Sequence, residues 1–155
     1  MPSDEIPRNN LAALTPRNPA LARSLQAAPF RRDCEIIPTR SGHFTARIAA
    51  PDGSAITLHG AYDPVKEAKQ FVDAKNIGER ENYLLMGFGL GYIAEEMLAR
   101  LDKRRHVIIL EADLSLLKTA LSARDMAPLL SSEKILLHAG KDARLRGGED
   151  VGRRG

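Results

Sequence analysis

The sequence predicts an α/β protein whose C-terminal half is built on a short parallel sheet. Three observations carry that reading. Between Tyr83 and Leu137, three compact apolar runs alternate with stretches of helical period, the pattern of buried parallel strands joined by crossover helices. Between Cys34 and His59 the period drops to two and turn sequences interrupt it, which predicts a separate antiparallel meander. Ahead of both, two proline-bounded segments read as short helices. The expected whole is a partial Rossmann-like parallel sheet preceded by an N-terminal helical arm and a small antiparallel β-meander. The boundaries are a helical arm over 1–30, the meander over 31–62, the α/β unit over 63–140 and a disordered or frameshifted tail over 141–155.

In the arm, Asn9 or Asn10 is expected to cap a helix through Leu11 and Leu14, stopped by Pro16. Asn18-Pro19 repeats the signal, because asparagine accepts from an orphan N–H and proline tolerates the first helical position. Leu21 and Leu25 give this second helix an apolar stripe, and Pro29 ends it. Alone such an arm is too short to be stable, so it is expected to dock on something.

The meander strands are Ile36-Ile37, then Phe44, Ala46 and Ile48, then Ile56 and Leu58. Arg40-Ser41-Gly42 and Pro51-Asp52-Gly53 supply the turns. Asp63-Pro64 opens the next helix, with Val65, Ala68 and Val72 at helical spacing and Phe71 beside them. The α/β run then follows: Tyr83–Met86, a helix on Ile93, Met97 and Leu101, Val107–Leu110, a helix on Leu116, Leu117, Ala120 and Leu121, and Lys134–Leu137. Doubly wound domains usually have five or six parallel strands, so three read as unfinished. Where a fourth unit is due, the residues from Gly140 turn polar and glycine-rich, which reads as a fragment with an uncovered edge and face.

Composition narrows the function. The 155 residues are 43% hydrophobic and 28% charged, enough for the core of one ordinary domain. The longest uncharged apolar stretch, Asn82 to Ala94, is too short to span a bilayer, so no membrane partner is expected. The first ten residues carry both signs of charge, unlike a signal peptide, and Cys34 is alone, so the expected location is cytoplasmic. Of the net charge of +3, residues 141–155 contribute five basic and three acidic side chains, which leaves a nearly neutral body. With 5% aromatic residues and no tryptophan, no nucleic-acid partner is expected.

The chemistry-bearing candidate is Gly87-Phe88-Gly89-Leu90-Gly91-Tyr92, directly after a predicted strand and opening a helix. A turn without Cβ atoms lets backbone N–H groups approach a ligand, and the helix N-terminus favours negative charge. Glu111 ends the next strand, where a carboxylate can accept from both hydroxyls of a ribose. Gly87, Gly89, Gly91 and Glu111 are therefore the candidate binding residues, for a nucleotide, a nucleotide-sugar or S-adenosylmethionine. Read as Gly87-x-Gly89-x-Gly91, the loop looks like the first motif of S-adenosylmethionine-dependent methyltransferases, although Leu85 stands where that family usually has an acidic residue. Read as Gly89-x-Gly91-x-x-Ala94, it passes for a dinucleotide loop. The plain alternative is that the glycines permit tight strand–helix packing and Glu111 caps the next helix.

Other chemistry finds little support. His43, His59, His106 and His138 stand singly without zinc spacing, so each reads as a buried or surface histidine. No nucleophile elbow and no Walker loop is present. Asp63 and Glu67 read as a cap and a first-turn dipole partner, and Cys34 as a small core residue.

Between Asn10 and Gly140 the chain resembles the motility accessory factor family, the flagellin glycosyltransferases, whose related proteins share a domain with 6-hydroxymethylpterin pyrophosphokinase-like proteins. Three stretches carry the resemblance: Asn10–Leu14 with Asn18–Ala22, Leu58–Ala68, and Met86–Tyr92. Gly60 stands where members often carry serine. The resemblance covers the family's N-terminal region only. It implies a bacterial protein that helps transfer nonulosonic acids from a CMP-activated donor to flagellin, with flagellin as partner and the transferase domain outside this region, so no catalytic residue is assigned. Two other readings stay open: a methyltransferase-like nucleoside-binding domain, and a non-enzymatic protein-binding module. Half a parallel sheet also implies self-association through an open edge.

Overall fold

The computed structural model describes residues 6–141. The tail expected over 141–155 falls, beyond Lys141, outside the described residues. The elements are α1 (Arg8–Leu14), α2 (Pro19–Ala27), β1 (Cys34–Pro38), β2 (Phe44–Ala49), β3 (Ala55–Thr57), α3 (Pro64–Asp73), β4 (Asn82–Met86), α4 (Tyr92–Arg100), β5 (His106–Glu111), α5 (Leu114–Ala123), α6 (Ala127–Ser131) and β6 (Ile135–Ala139). The molecule is α/β, with a parallel sheet β4-β5-β6, a separate antiparallel sheet β1-β2-β3 and N-terminal helices. No helix among the described residues is long and apolar enough to cross a membrane.

Two of the predicted caps form as chemistry requires. The Asn18 side chain accepts from the Leu21 N–H at 3.0 Å ahead of Pro19, and Asp63 accepts from Val65 and Lys66 ahead of Pro64. Each cap contributes about 1 kcal/mol to its helix. The first helix departs from expectation: α1 starts at Arg8 behind Pro7 with no side-chain cap, and Asn10 lies inside it. The Pro7 carbonyl accepts from the Asn10 and Leu11 N–H groups at 3.0 and 3.2 Å, while the Asn10 side chain takes a tertiary role. Val65 and Phe71, expected on the apolar stripe of α3, are 40% and 43% exposed; Pro64, Ala68 and Val72 form the buried face instead.

The arm docks on the α/β unit. Leu14, Leu21 and Leu25 share one core with Val107, Ile109, Leu117, Leu121 and Leu129. Helix α6, which the sequence reading did not anticipate, lies between α5 and β6 and brings Leu129 and Leu130 to that core. At five residues it is too short to show a helical period.

In the parallel sheet, Leu85, Ile109 and Leu137 stand in one row and Leu84, Ile108 and Leu136 in the next. The first row faces the helices; Ile109 is fully buried. The second row, with Met86, faces outward: Leu84 is 53%, Met86 69% and Leu136 41% exposed. This exposed row is the uncovered face expected of a three-strand sheet. Successive right-handed crossovers running the same way across a sheet set their helices on one face, and three strands supply helices for one face only.

Candidate functional site

The glycine loop forms where the sequence places it, between β4 and α4. Gly87, Gly89 and Gly91 have φ of +88°, +56° and +86°, a region that side-chain-bearing residues rarely adopt. A Cβ on Gly89 would lie 2.9 Å from His59 Nε2, and one on Gly91 would lie 2.6 Å from the Met126 sulfur. Beside Gly87 there is open space.

Most of the loop's backbone donors already have protein partners. Gly87 N–H donates to the Leu110 carbonyl and Gly91 N–H to the Phe88 carbonyl. Phe88 N–H donates to Glu111 Oε2 at 3.0 Å, and Leu90 N–H donates to His59 Nε2 at 3.1 Å. The loop is thus held from two sides, by a carboxylate at the end of β5 and an imidazole before α3. The side chains of Phe88 and Leu90 point into the core, 3% and 0% exposed.

Glu111 therefore meets the glycine loop as expected, and its position comes from strand register: Met86 pairs with Leu110, so the next residue of each strand lies at the same level. Its other oxygen accepts from the Asp113 N–H at 3.0 Å. The α5 cap is Asp113, which accepts from Leu116, so the alternative role of Glu111 as that cap is replaced by a clip between two turns. At 7% exposure, Glu111 would receive a ribose only through the lone pairs its two backbone donors leave.

His59 is the residue that the sequence reading passed over. It is 7% exposed, and burial pushes its pKa below the ordinary histidine value; Glu67 pulls it up and Arg124 pushes it further down. A neutral ring is what the geometry requires, since Nε2 must keep a lone pair for Leu90. Glu67 Oε1 lies 3.8 Å from Nδ1, while Oε2 accepts from the Gly60 N–H at 2.8 Å. The absence of a Cβ at Gly60 permits that approach; one there would stand 2.5 Å from Oε2. Thr45 clamps the backbone of His59 in both directions, donating to its carbonyl and accepting from its N–H. The available signal was the Leu58–Ala68 stretch itself, in which His59 and Glu67 sit together.

Tyr92, 2% exposed, completes the unit. Its ring stands edge-on to His59 at 5.0 Å, and its hydroxyl donates to the Phe44 carbonyl while accepting the Phe44 N–H. Burial raises its pKa, partly offset by the Phe44 hydrogen bond. Arg124 stacks 4.0 Å over that ring, donates to the Leu90 carbonyl and pairs with Glu95 at 2.8 Å. The loop thereby joins the meander, α3, α4 and the end of α5 into one polar junction.

Among the described residues, no three His, Cys, Asp or Glu side chains come together as a metal site. A cavity of about 490 Å³ lies at the C-terminal ends of β5 and β6 under α2. Asn18, Ser24, Ala112, His138, Gly140 and Lys141 line it, and none of Gly87, Gly89, Gly91 or Glu111 does.

No family model and no curated protein matches the chain. Among solved structures, the MAf glycosyltransferase from Magnetospirillum magneticum AMB-1 aligns at 15% identity and a TM-score of 0.60, over 89% of this chain and 28% of that one. MnmC2 from Aquifex aeolicus aligns at 18% identity and a TM-score of 0.44, over 84% of this chain and 51% of that one. The first likeness is one of fold. The chain spans under a third of that glycosyltransferase's length.

Proposed function

We propose that this chain is the N-terminal, non-catalytic module of a motility accessory factor-type protein that takes part in flagellin glycosylation with a CMP-activated nonulosonic acid. The observation that carries the reading is what the three family-like stretches do. Asn10 and Asn18 anchor the arm, His59 and Glu67 brace the glycine loop, and the loop's Phe88 and Leu90 N–H groups are held by protein side chains. These residues hold a scaffold together and leave transfer chemistry to sequence outside this region. The fold likeness to a glycosyltransferase supports the same reading.

Deleting the gene in its native host and weighing intact flagellin tests the proposal. The expected result is flagellin that has lost its nonulosonic acid increments; flagellin of unchanged mass would overturn it. The methyltransferase-like alternative keeps one specific support, the carboxylate of Glu111 beside the glycine loop. It predicts a saturable rise in melting temperature with S-adenosylhomocysteine, and the module reading predicts none.

A further inference from the structure

We infer that the outer edge of β4 pairs with β4 of a second copy of this chain, antiparallel and with Leu84 on the two-fold axis. The inference concerns the 155-residue chain alone and starts from the two edges of the parallel sheet. At β6 two outward carbonyls are taken: Arg17 donates to the Ile135 carbonyl at 2.8 Å and Asn18 to the Leu137 carbonyl at 3.4 Å. At β4 the edge is open. The strand ends the sheet order, and the bonds His106 N–H to Glu81 O and Gly87 N–H to Leu110 O fix the ladder's phase. Because a parallel ladder uses alternate residues, Tyr83 and Leu85 bond towards β5. Asn82, Leu84 and Met86 then aim their N–H and C=O groups outward, where no described residue meets them.

That pattern is self-complementary. Antiparallel pairing about Leu84 sets Leu84 opposite its own copy, and Asn82 opposite Met86 twice. Each of the three positions becomes a hydrogen-bonded pair that exchanges two bonds. The same three residues carry exposed side chains, with Leu84 and Met86 at 53% and 69%, so the pairing brings apolar side chains together across the join. The fourteen residues after Lys141 are a poor occupant, since glycine and charge dominate them and strands are depleted in both. With two of the β6 carbonyls taken by Arg17 and Asn18, β4 is the more open edge and the expected assembly is a dimer.

Sedimentation equilibrium on the full chain and two variants is the test, with circular dichroism confirming that each folds. Leu84→Lys sets two like charges face to face on the axis. Leu84→Pro removes an N–H that β5 does not use, a change an edge strand tolerates. The expected result is a dimer for the native chain and a dissociation constant raised at least about tenfold in both variants. A native chain that stays monomeric across the concentration series overturns the inference. So does a dimer that both substitutions leave intact.

Discussion

His59 Nε2 accepts the backbone N–H of Leu90 at 3.1 Å, across 31 residues of sequence, and so makes a neutral imidazole part of the glycine loop. Protonation would replace the acceptor with a donor and set two donors against each other. Burial already holds the folded pKa below the unfolded value of about 6.5. A depressed pKa means that the unfolded chain binds the proton first as pH falls. The contribution of His59 is therefore complete above about pH 6.5 and is lost as pH drops below it towards the folded value. Urea unfolding between pH 8 and 5 is expected to show this loss in the native chain. His59→Gln, which keeps an acceptor but cannot titrate, should flatten that part of the profile; an unchanged slope would count against the neutral ring.

The contrast between Gly89 and Gly87 separates crowding from backbone strain. Both have positive φ, but a Cβ on Gly89 meets His59 at 2.9 Å and one on Gly87 meets open space. Gly87→Ala is expected to cost about 1 kcal/mol, the left-handed penalty alone. Gly89→Ala adds the displacement of a buried ring and should cost about 2–4 kcal/mol. Equal losses in denaturant melts would show that the His59 contact yields freely.

Glu111 clips the glycine loop to the β5–α5 turn through two backbone donors. Glu111→Gln keeps one carbonyl oxygen and turns an NH₂ towards a donor, so about 1–3 kcal/mol should be lost. Glu111→Ala abandons both Phe88 and Asp113 N–H groups and is expected to cost more, about 3–5 kcal/mol. If Glu111 instead serves mainly a bound nucleoside, both variants would melt close to the native temperature without ligand. Calorimetry on the three proteins decides between the outcomes.

What was legible in the sequence was whatever rests on local chemistry. Asn18-Pro19 and Asp63-Pro64 announce their helices because cap and proline act within three residues, and the two periods separate the meander from the parallel strands. The meeting of Glu111 with the glycine loop was also legible, since consecutive parallel strands end level. What Glu111 does there was not, because its partners are backbone N–H groups of Phe88 and Asp113 that no residue pattern marks. Likewise His59 and Arg124 reach the loop from 31 and 34 residues away, a distance over which spacing says nothing. Asn10 misled for a physical reason: the side chain that makes a good cap also makes a good internal bracket, and only the tertiary fold chooses between them.

Asn10 is fully buried, and every part of its amide is used. Its Nδ2 donates to the Leu121 and Arg124 carbonyls, both at 2.8 Å, and its Oδ1 accepts the Met126 N–H at 2.7 Å. One side chain on α1 thus satisfies carbonyls at the end of α5 and an N–H at the start of α6, which helps fix the arm to the α/β unit. Asn10→Ala should cost about 2–4 kcal/mol, through three lost bonds and a small cavity. Asn10→Asp is the sharper test. At neutral pH it sets a carboxylate against two carbonyls, so it should be no more stable than the alanine variant. Those carbonyls favour the protonated form, and the folded pKa of the introduced carboxyl is raised above the unfolded value. Its stabilising contribution is accordingly present at low pH and lost as pH rises through the folded pKa. Relative to Asn10→Ala, the aspartate variant is expected to gain stability between pH 7 and 4.5; a constant difference across that range would mean that water reaches the site.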